Sequence, residues 1–338
     1  MKHEIYILVL IVIIFIIVYF MMVYNARKDG RTFHEDLLGS MYRDVFPEEE
    51  FYSNKQSYWD EVAKGQKLAS QETLYIGGLA YNLSKEQISL LEGRINYCSQ
   101  GWKQVKVFIY GLDSKEPFRT HLIQWSLRDP KVTLIPKLEQ SWKDVIVFTK
   151  MSKLRNTLHH AVLKEIQAQT LADKTNKTFF LSIDADIGGP ISRDGLFHAR
   201  AALEDPSIGI VYANGIVSDS FVNTIPGLRG WCFVGIGYCY YDDLALIVED
   251  EDESKLYKWY HMSYGRAGPL IPVISAYGGA GLMKPSVLTK ASYDEKATSC
   301  EHHSFNKKVT QQGYDIVVDP SFLLLAGCQG HHLTRKID

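Results

Sequence analysis

The chain has 338 residues, 46% of them hydrophobic, enough for one large domain or two small ones with a real core, and nothing in the composition suggests disorder. A formal net charge of -2, with Lys and Arg spread along the chain, leaves no electrostatic footprint for a polyanion and argues against nucleic acid as a partner. Five cysteines (Cys98, Cys232, Cys239, Cys300 and Cys328) are too few and too scattered for a disulfide framework and show no C-x-x-C zinc spacing; they leave room for one bridge without assigning it.

After a short tail of residues 1–4, Ile5 to Tyr24 is an apolar run of twenty residues without a charge, long enough to cross a bilayer core of about 30 Å. It ends in Met21-Met22-Val23-Tyr24, without a small-residue cleavage pattern, so a retained anchor is expected in place of a signal peptide. Arg27, Lys28 and Arg31 follow the run and only Lys2 and the terminal amine precede it, which puts the body in the cytosol. The sequons Asn82-Leu83-Ser84 and Asn176-Lys177-Thr178 point the other way, to a type II protein of the Golgi or ER with a lumenal body. A single-pass membrane protein is expected, with its topology open. Residues 25–71, mixed and charged with Pro47-Glu48-Glu49-Glu50 and no sustained apolar period, read as a stem, and residues 72–338 as the folded domain.

Within that domain apolar runs alternate with helical patterns. Leu74-Tyr75-Ile76 is followed by a helix from Ser84 to Tyr97 with Gln87 as capping-box partner, then by the strand Val105 to Tyr110. A helix around Pro117 to Leu127 leads to Val132-Thr133-Leu134-Ile135, and a third from Lys153 to about Leu171 leads to the run Phe179 to Ile187. This β-α-β-α-β succession predicts an α/β fold: a parallel sheet covered by helices on both faces, with ligands at the carboxyl ends of the strands.

The run Phe179 to Ile187 ends in Asp184 and Asp186. Alternate residues of a strand share a face, so the two carboxylates can converge where the strand opens into Gly188-Gly189-Pro190. Mg²⁺ and Mn²⁺ prefer such oxygens and bridge them to the phosphates of a nucleotide. Asp113, after the second strand, is expected on the same edge. Further along, Ser275 to Gly281 packs Gly278, Gly279 and Gly281 around Ala280, a backbone suited to close approach or positive φ. Trp231, Tyr238, Tyr240 and Tyr241 surround Asp242-Asp243, a mixture suited to sugar rings. The acidic run Glu249 to Glu253 reads as a solvated loop. Cys300-Glu301-His302-His303 opens a helix that runs to Gln312 and stops at Gly313, with Glu301 as a second candidate acid. After the strand Ile316 to Pro320, Gly330-His331-His332 supplies an imidazole that can complete a metal shell begun by the two aspartates.

Taken in order, these features resemble the Rossmann-like GT-A fold of nucleotide-sugar-dependent glycosyltransferases, from about Glu72 to Leu333. The hallmarks are the D-x-D at Asp184-Ala185-Asp186, the glycine loop at Gly278 to Gly281, the acidic motif at Glu301, and the histidine at His331 or His332. Within that superfamily the chain looks most like the fungal capsule-associated α-1,3-mannosyltransferases, with a weaker likeness to yeast mannan-polymerase subunits. The carrying residues are Lys153-Leu154-Arg155-Asn156, Tyr240-Tyr241-Asp242 and Cys300-Glu301-His302. One departure is that the usual acidic motif ends in E-D, where this chain has Glu301-His302.

The resemblance implies a membrane-anchored, metal-dependent enzyme that moves a sugar, mannose on the closer likeness, from a nucleoside-diphosphate sugar to a glycan, glycoprotein or glycolipid. Mn²⁺ or Mg²⁺ would sit on Asp184 and Asp186 with His331 or His332, Arg155 would help to neutralise the diphosphate, and Asp113 would meet the base or ribose. Tyr241, Asp242, Gly278, Gly279, Ala280 and Gly281 would border the substrate, and Glu301 and Asp186 form the catalytic set. Glu301 is the base if the anomeric configuration inverts; with retention, which the mannosyltransferase likeness implies, it orients the acceptor or stabilises an oxocarbenium-like transition state. Two other classes share some of these features. Haloacid-dehalogenase-type phosphohydrolases also place D-x-D after a strand, but on their first strand and with Thr or Val where Gly188 stands. A non-catalytic, membrane-anchored sugar-binding scaffold would keep the fold without turnover.

Overall fold

Strands whose residues are apolar almost without alternation belong in the middle of a sheet covered on both faces. β1 (Thr73–Leu79) and β4 (Thr178–Asp184) meet that description, being buried along nearly their whole length. The computed structural model describes residues 12–14, 55–139, 142–143, 145–172, 177–187, 191–218, 238–242, 244–248 and 268–328. Of the expected membrane span only 12–14 are among them, helical and exposed, and no described helix is long and apolar enough to cross a membrane.

In chain order the labelled elements are α1 (Lys55–Ala69), β1, α2 (Lys85–Ser99), β2 (Gln104–Tyr110), α3 (Phe118–Arg128), β3 (Val132–Ile135), α4 (Val147–Ala172), β4 and α5 (Arg193–Ala202). There follow β5 (Ile208–Ser218), β6 (Tyr238–Tyr240), β7 (Ile271–Pro272), β8 (Ala280–Met283), α6 (Pro285–Lys290), α7 (Glu301–Thr310) and β9 (Asp315–Cys328). The strands form one sheet in the order β3-β2-β1-β4-β8-β5-β9-β7, with β6 on β5. β3, β2, β1 and β4 are mutually parallel, as the β-α-β succession predicts. The sheet as a whole is mixed, because β8 lies antiparallel between β4 and β5. The chain enters β8 from the edge where β4 ends, Ile183 facing Ala280, and runs back; its four residues carry no mark of direction in the sequence.

The helices form two layers. Side chains of α1, α2, α3 and α5 fill the core on one face of the sheet, and those of α4, α6 and α7 fill the other. The α2 cap is as its sequence predicts: the Gln87 amide donates to Ser84 Oγ at 3.2 Å, and the Ser84 amide donates to Gln87 Oε1 at 2.9 Å. The stem expectation changes at its C-terminal end. Residues 55–69 are helical, with Tyr58, Val62 and Ala69 buried against the body. Gly65 marks the closest approach, since a Cβ there would stand 1.8 Å from the Phe197 carbonyl of α5. The apolar stripe is narrow and interrupted by Lys, Glu and Asp, which hides its period.

Two buried ion pairs tie the first layer to the sheet. Arg200 of α5 donates from Nε and Nη2 to the two oxygens of Glu72, just before β1, at 2.6 and 2.7 Å, and its guanidinium lies 4.1 Å from the Phe179 ring centroid. His198 Nδ1 meets Asp319 Oδ2 of β9 at 2.7 Å, while Asp319 Oδ1 accepts the Ser321 amide at 2.8 Å. Burial opposes charge on the His198 ring, but Asp319, with Glu61 and Asp194 nearby, raises its pKa above the ordinary imidazole value.

Two expectations follow. Glu72→Leu strips the buried Arg200 guanidinium of its bidentate partner and leaves it only the Glu204 contact at 2.8 Å, so it should cost about 3 kcal/mol in urea unfolding, whereas Glu72→Leu with Arg200→Met should recover most of that loss. A raised histidine pKa stabilises the folded chain fully below the unfolded value near 6.5, and the contribution is lost as pH rises through the folded value. The melting-temperature advantage of the wild type over His198→Gln should therefore be larger at about pH 6 than at about pH 9. Equal differences at both would show that the ring acts by packing alone.

Candidate functional site

Register brings the first candidates to one edge. Leu79 faces Tyr110 on one side and Asp184 on the other, so β2, β1 and β4 end level. Asp184 is the last residue of β4, and Ala185 and Asp186 form the turn beyond it. The strand expected to reach Ile187 thus stops three residues early. β8 pairs with β4 only as far as Ile183, after which the Asp184 amide donates to the Gly279 carbonyl at 2.9 Å. Both aspartates are half-buried. They are close enough that the Asp186 charge helps to raise the Asp184 pKa.

Asp184 is held from both layers. Arg94 of α2, 1% exposed, donates from Nη2 to the Asp184 carbonyl at 3.0 Å. From the other face Arg155 of α4 reaches Asp184 Oδ1 at 3.5 Å, and the Tyr241 hydroxyl donates to Oδ2 at 3.2 Å. Burial pushes the Asp184 carboxyl up to about 6; Arg155 pulls it down, Asp186 and Glu301 push it further up, and the Tyr241 bond favours the ionised form.

Arg155 also donates from Nε to Glu301 Oε1 at 3.1 Å and from Nη1 to the Tyr277 hydroxyl at 3.4 Å. Its guanidinium carbon lies 4.7 Å from the Tyr277 ring centroid and 5.9 Å from that of Tyr293. Glu301, at the start of α7, is 6% exposed. His302 stacks on Tyr277 with centroids 4.1 Å apart and planes at 20°. Its Nε2 is 3.8 Å from Glu301 Oε1, and neither ring nitrogen has a hydrogen-bond partner among the described residues. Burial, then the nearby Arg155, keeps this imidazole neutral, well below its ordinary pKa.

The remaining candidates fall in different places. Asp113 is half-buried, three residues past the end of β2 on the Asp184 edge. Tyr241 is brought against Asp184, and Asp242 follows it at φ +62°, its carbonyl accepting the Ala245 amide at 3.0 Å. Gly278 and Gly279 take positive φ, as their sequence predicts. The space beside Gly279 belongs to the protein itself: a Cβ would stand 2.4 Å from Leu324, 2.6 Å from Ile187 and 3.1 Å from Tyr241. Ala280 and Gly281, expected at the substrate, are buried inside β8, because the antiparallel pairing begins at Ala280. His331, His332, Asp243 and the acidic run 249–253 lie outside the described residues.

Asn82 of the first sequon serves a turn: its amide donates to Ser114 Oγ at 3.0 Å, its Oδ1 accepts the Lys115 amide at 2.9 Å, and Ser84 caps α2. Asn176 lies outside the described residues. Among the described thiols Cys98 and Cys300 are free and buried. Sequence reasoning missed Arg94, Tyr277 in its paired role, and Tyr293. Arg94 left one trace, a charge on the apolar face formed by Ile88, Leu91, Ile95 and Cys98.

The described residues supply two carboxylates and no cluster of three or more His, Cys, Asp or Glu side chains arranged to hold a metal. Two hard oxygen donors at a strand end fit Mg²⁺ or Mn²⁺, cations commonly bound by one or two carboxylates with phosphate and water completing the shell. Arg155 and Tyr241, both touching Asp184, are groups that a cation there would have to displace or share.

No known protein-family model matches the sequence, and no curated protein sequence matches it. Among solved structures the chain is similar to the mannosyltransferase PcManGT from Pyrobaculum calidifontis, in complex with GDP-Man and Mn²⁺. That likeness has TM-score 0.44 and 13% identity, and covers 80% of this chain and 65% of that one. It is also similar to S. aureus TarS 1-349, with TM-score 0.39 and 13% identity, covering 73% of this chain and 57% of that one. The chain spans less than two thirds of the length of either protein, and at these scores neither likeness bears on what it does.

Proposed function

We propose that the chain is a metal-dependent glycosyltransferase that moves a sugar from a nucleoside-diphosphate donor to a glycan, glycoprotein or glycolipid acceptor, anchored through residues 5–24. The observation that carries the reading is the meeting of Asp184, with Asp186 two residues on, and Glu301 around Arg155 at the carboxyl edge of a parallel strand group. The motif resemblance to capsule-associated mannosyltransferases directs the donor to mannose and the course to retention.

A cation on Asp184 and Asp186 would neutralise the leaving diphosphate. The chain's own residues do the rest. Asp113, on the same edge, would meet the base or ribose. Tyr241 steadies Asp184 in its ionised form. Arg155 fixes Glu301 by one oxygen, Oε1. The other oxygen is left for an acceptor hydroxyl, which suits an orienting role. In the retaining course the anomeric carbon–diphosphate bond breaks, the acceptor oxygen bonds on the same face, and the acceptor proton passes to the leaving diphosphate oxygen. Tyr277, Tyr293 and neutral His302 surround Arg155 with rings in place of water, which strengthens its charge–charge contacts.

Asp184→Ala or Asp186→Ala should abolish Mn²⁺-dependent transfer from a nucleotide sugar while the circular dichroism spectrum stays that of the wild type, since half-buried acids at a strand end contribute little packing. Full metal-dependent transfer in either variant would sink the assignment. Glu301→Gln should lower transfer with donor affinity unchanged, and NMR of the anomeric proton in the product should show the donor's configuration. An inverted product would make Glu301 the general base, with a loss of roughly 10²–10⁴-fold expected in the same variant.

A pH test bears on the cation itself. A carboxyl whose folded pKa is raised stabilises the folded chain most below its unfolded value near 4, and that contribution is lost as pH climbs through about 6. Above about 6, ionised Asp184 therefore costs stability, and a cation offsets the cost; below it, protons compete with the cation. The thermal shift produced by Mn²⁺ alone should grow between about pH 5 and pH 7.5 and be absent in Asp184→Asn. A shift independent of pH, or retained in that variant, would put the cation elsewhere.

A further inference from the structure

Arg155 touches both candidate acids, although they come from separate elements far apart in the chain. Asp184 closes β4 and Glu301 opens α7, and one guanidinium reaches the first at 3.5 Å and the second at 3.1 Å. The planar fork presents its donors in fixed directions, and the Tyr277 and Tyr293 rings beside it restrict how it can turn. The charge is thus divided between two carboxylates and unequally so, the Glu301 contact being a normal hydrogen bond and the Asp184 contact at the limit of one. Whatever neutralises one acid changes what the guanidinium gives to the other.

We propose that Arg155 is a positioning residue that couples cation occupancy of Asp184 to the placement of Glu301. A cation on Asp184 supplants the longer Arg155 contact and leaves the guanidinium to Glu301. Oε1 is then fixed, while Oε2, which has no hydrogen bond among the described residues, is left for the acceptor. The coupling is reciprocal: what strengthens Arg155 on Glu301 favours the cation, and what removes Glu301 turns Arg155 back onto Asp184 as a competitor. The inference rests on the cation and acceptor assignments made above.

The test is calorimetric titration with Mn²⁺ alone, at about pH 8, on the full chain and on Glu301→Gln, Arg155→Gln, the double variant and Arg155→Lys, each checked for folding by circular dichroism. Glu301→Gln should weaken Mn²⁺ binding about fivefold although Glu301 holds no cation, and the effect should vanish in the Arg155→Gln background. Equal weakening in both backgrounds would mean that the Glu301 charge acts directly through space and would overturn the coupling. So would no effect of Glu301→Gln in the wild-type background. No Mn²⁺ binding by the wild type would remove the cation assignment itself and the coupling with it. If Arg155→Gln fails to fold, Arg155→Lys decides. A single ammonium cannot span both acids, so the Glu301→Gln effect should shrink towards none there, and an undiminished effect would overturn the proposal.

Discussion

The structure turns on a carboxylate held at a strand end where water is scarce. Asp184 ends the strand at the centre of the sheet, and burial alone would favour its neutral form. The chain answers from every side: a guanidinium from each helical layer, one on the backbone and one on the side chain, and a phenol on the remaining oxygen. Each of these donors is itself in a place that needs explanation. Arg94 sits among apolar residues of α2, Arg155 among aromatic rings, and Tyr241 beside a glycine that leaves space for it. The same arrangement leaves the Asp184 pKa raised, a poised state that a cation would relieve.

The aromatic lining sets the character of the second acid too. With Tyr277, Tyr293 and His302 packed around it, Arg155 is the positive charge that Glu301 meets. His302 follows Glu301 directly, and its environment keeps it from adding to the charge there. A ring stacked on Tyr277 and kept neutral adds no charge to a locus that already balances two carboxylates against one guanidinium.

The features legible in the sequence were those written in local spacing. The alternation of β1, α2, β2, α3, β3, α4 and β4 follows from apolar periods and from a capping box, and the carboxyl edge follows from their being parallel. The positive φ of Gly278 and Gly279 follows from residue type. The features that escaped depend on distant partners. The direction of β8 is set by β4 and β5, and four buried residues carry no trace of it. The docking of α1 rests on a narrow stripe that matches a surface formed about 130 residues later. The bond from Arg94 to the Asp184 carbonyl joins residues with no common local signal beyond a charge in an apolar row. Ala280 and Gly281 looked like part of a ligand loop because glycine content speaks to backbone freedom and not to what fills the space, which here is strand.

The insertion of β8 between β4 and β5 also governs how the chain can be assembled. The strand that borders β4 is separated from it by nearly a hundred residues, so during synthesis β1 to β4 emerge with one side of β4 unpaired until residues 280–283 arrive. Closing so long a loop is slow, and an open, apolar strand edge is a template for pairing with other chains. Glycines at the entry to β8 have a kinetic meaning in that setting. They let a late segment slip in beside Tyr241 and Ile187, already made, and leave room for Leu324 of β9, which arrives after it. The step that pairs β8 with β4 is therefore also the step that delivers the Gly279 carbonyl to the Asp184 amide, and a chain cut short of residue 280 would lack both the strand between β4 and β5 and the geometry of its acid edge.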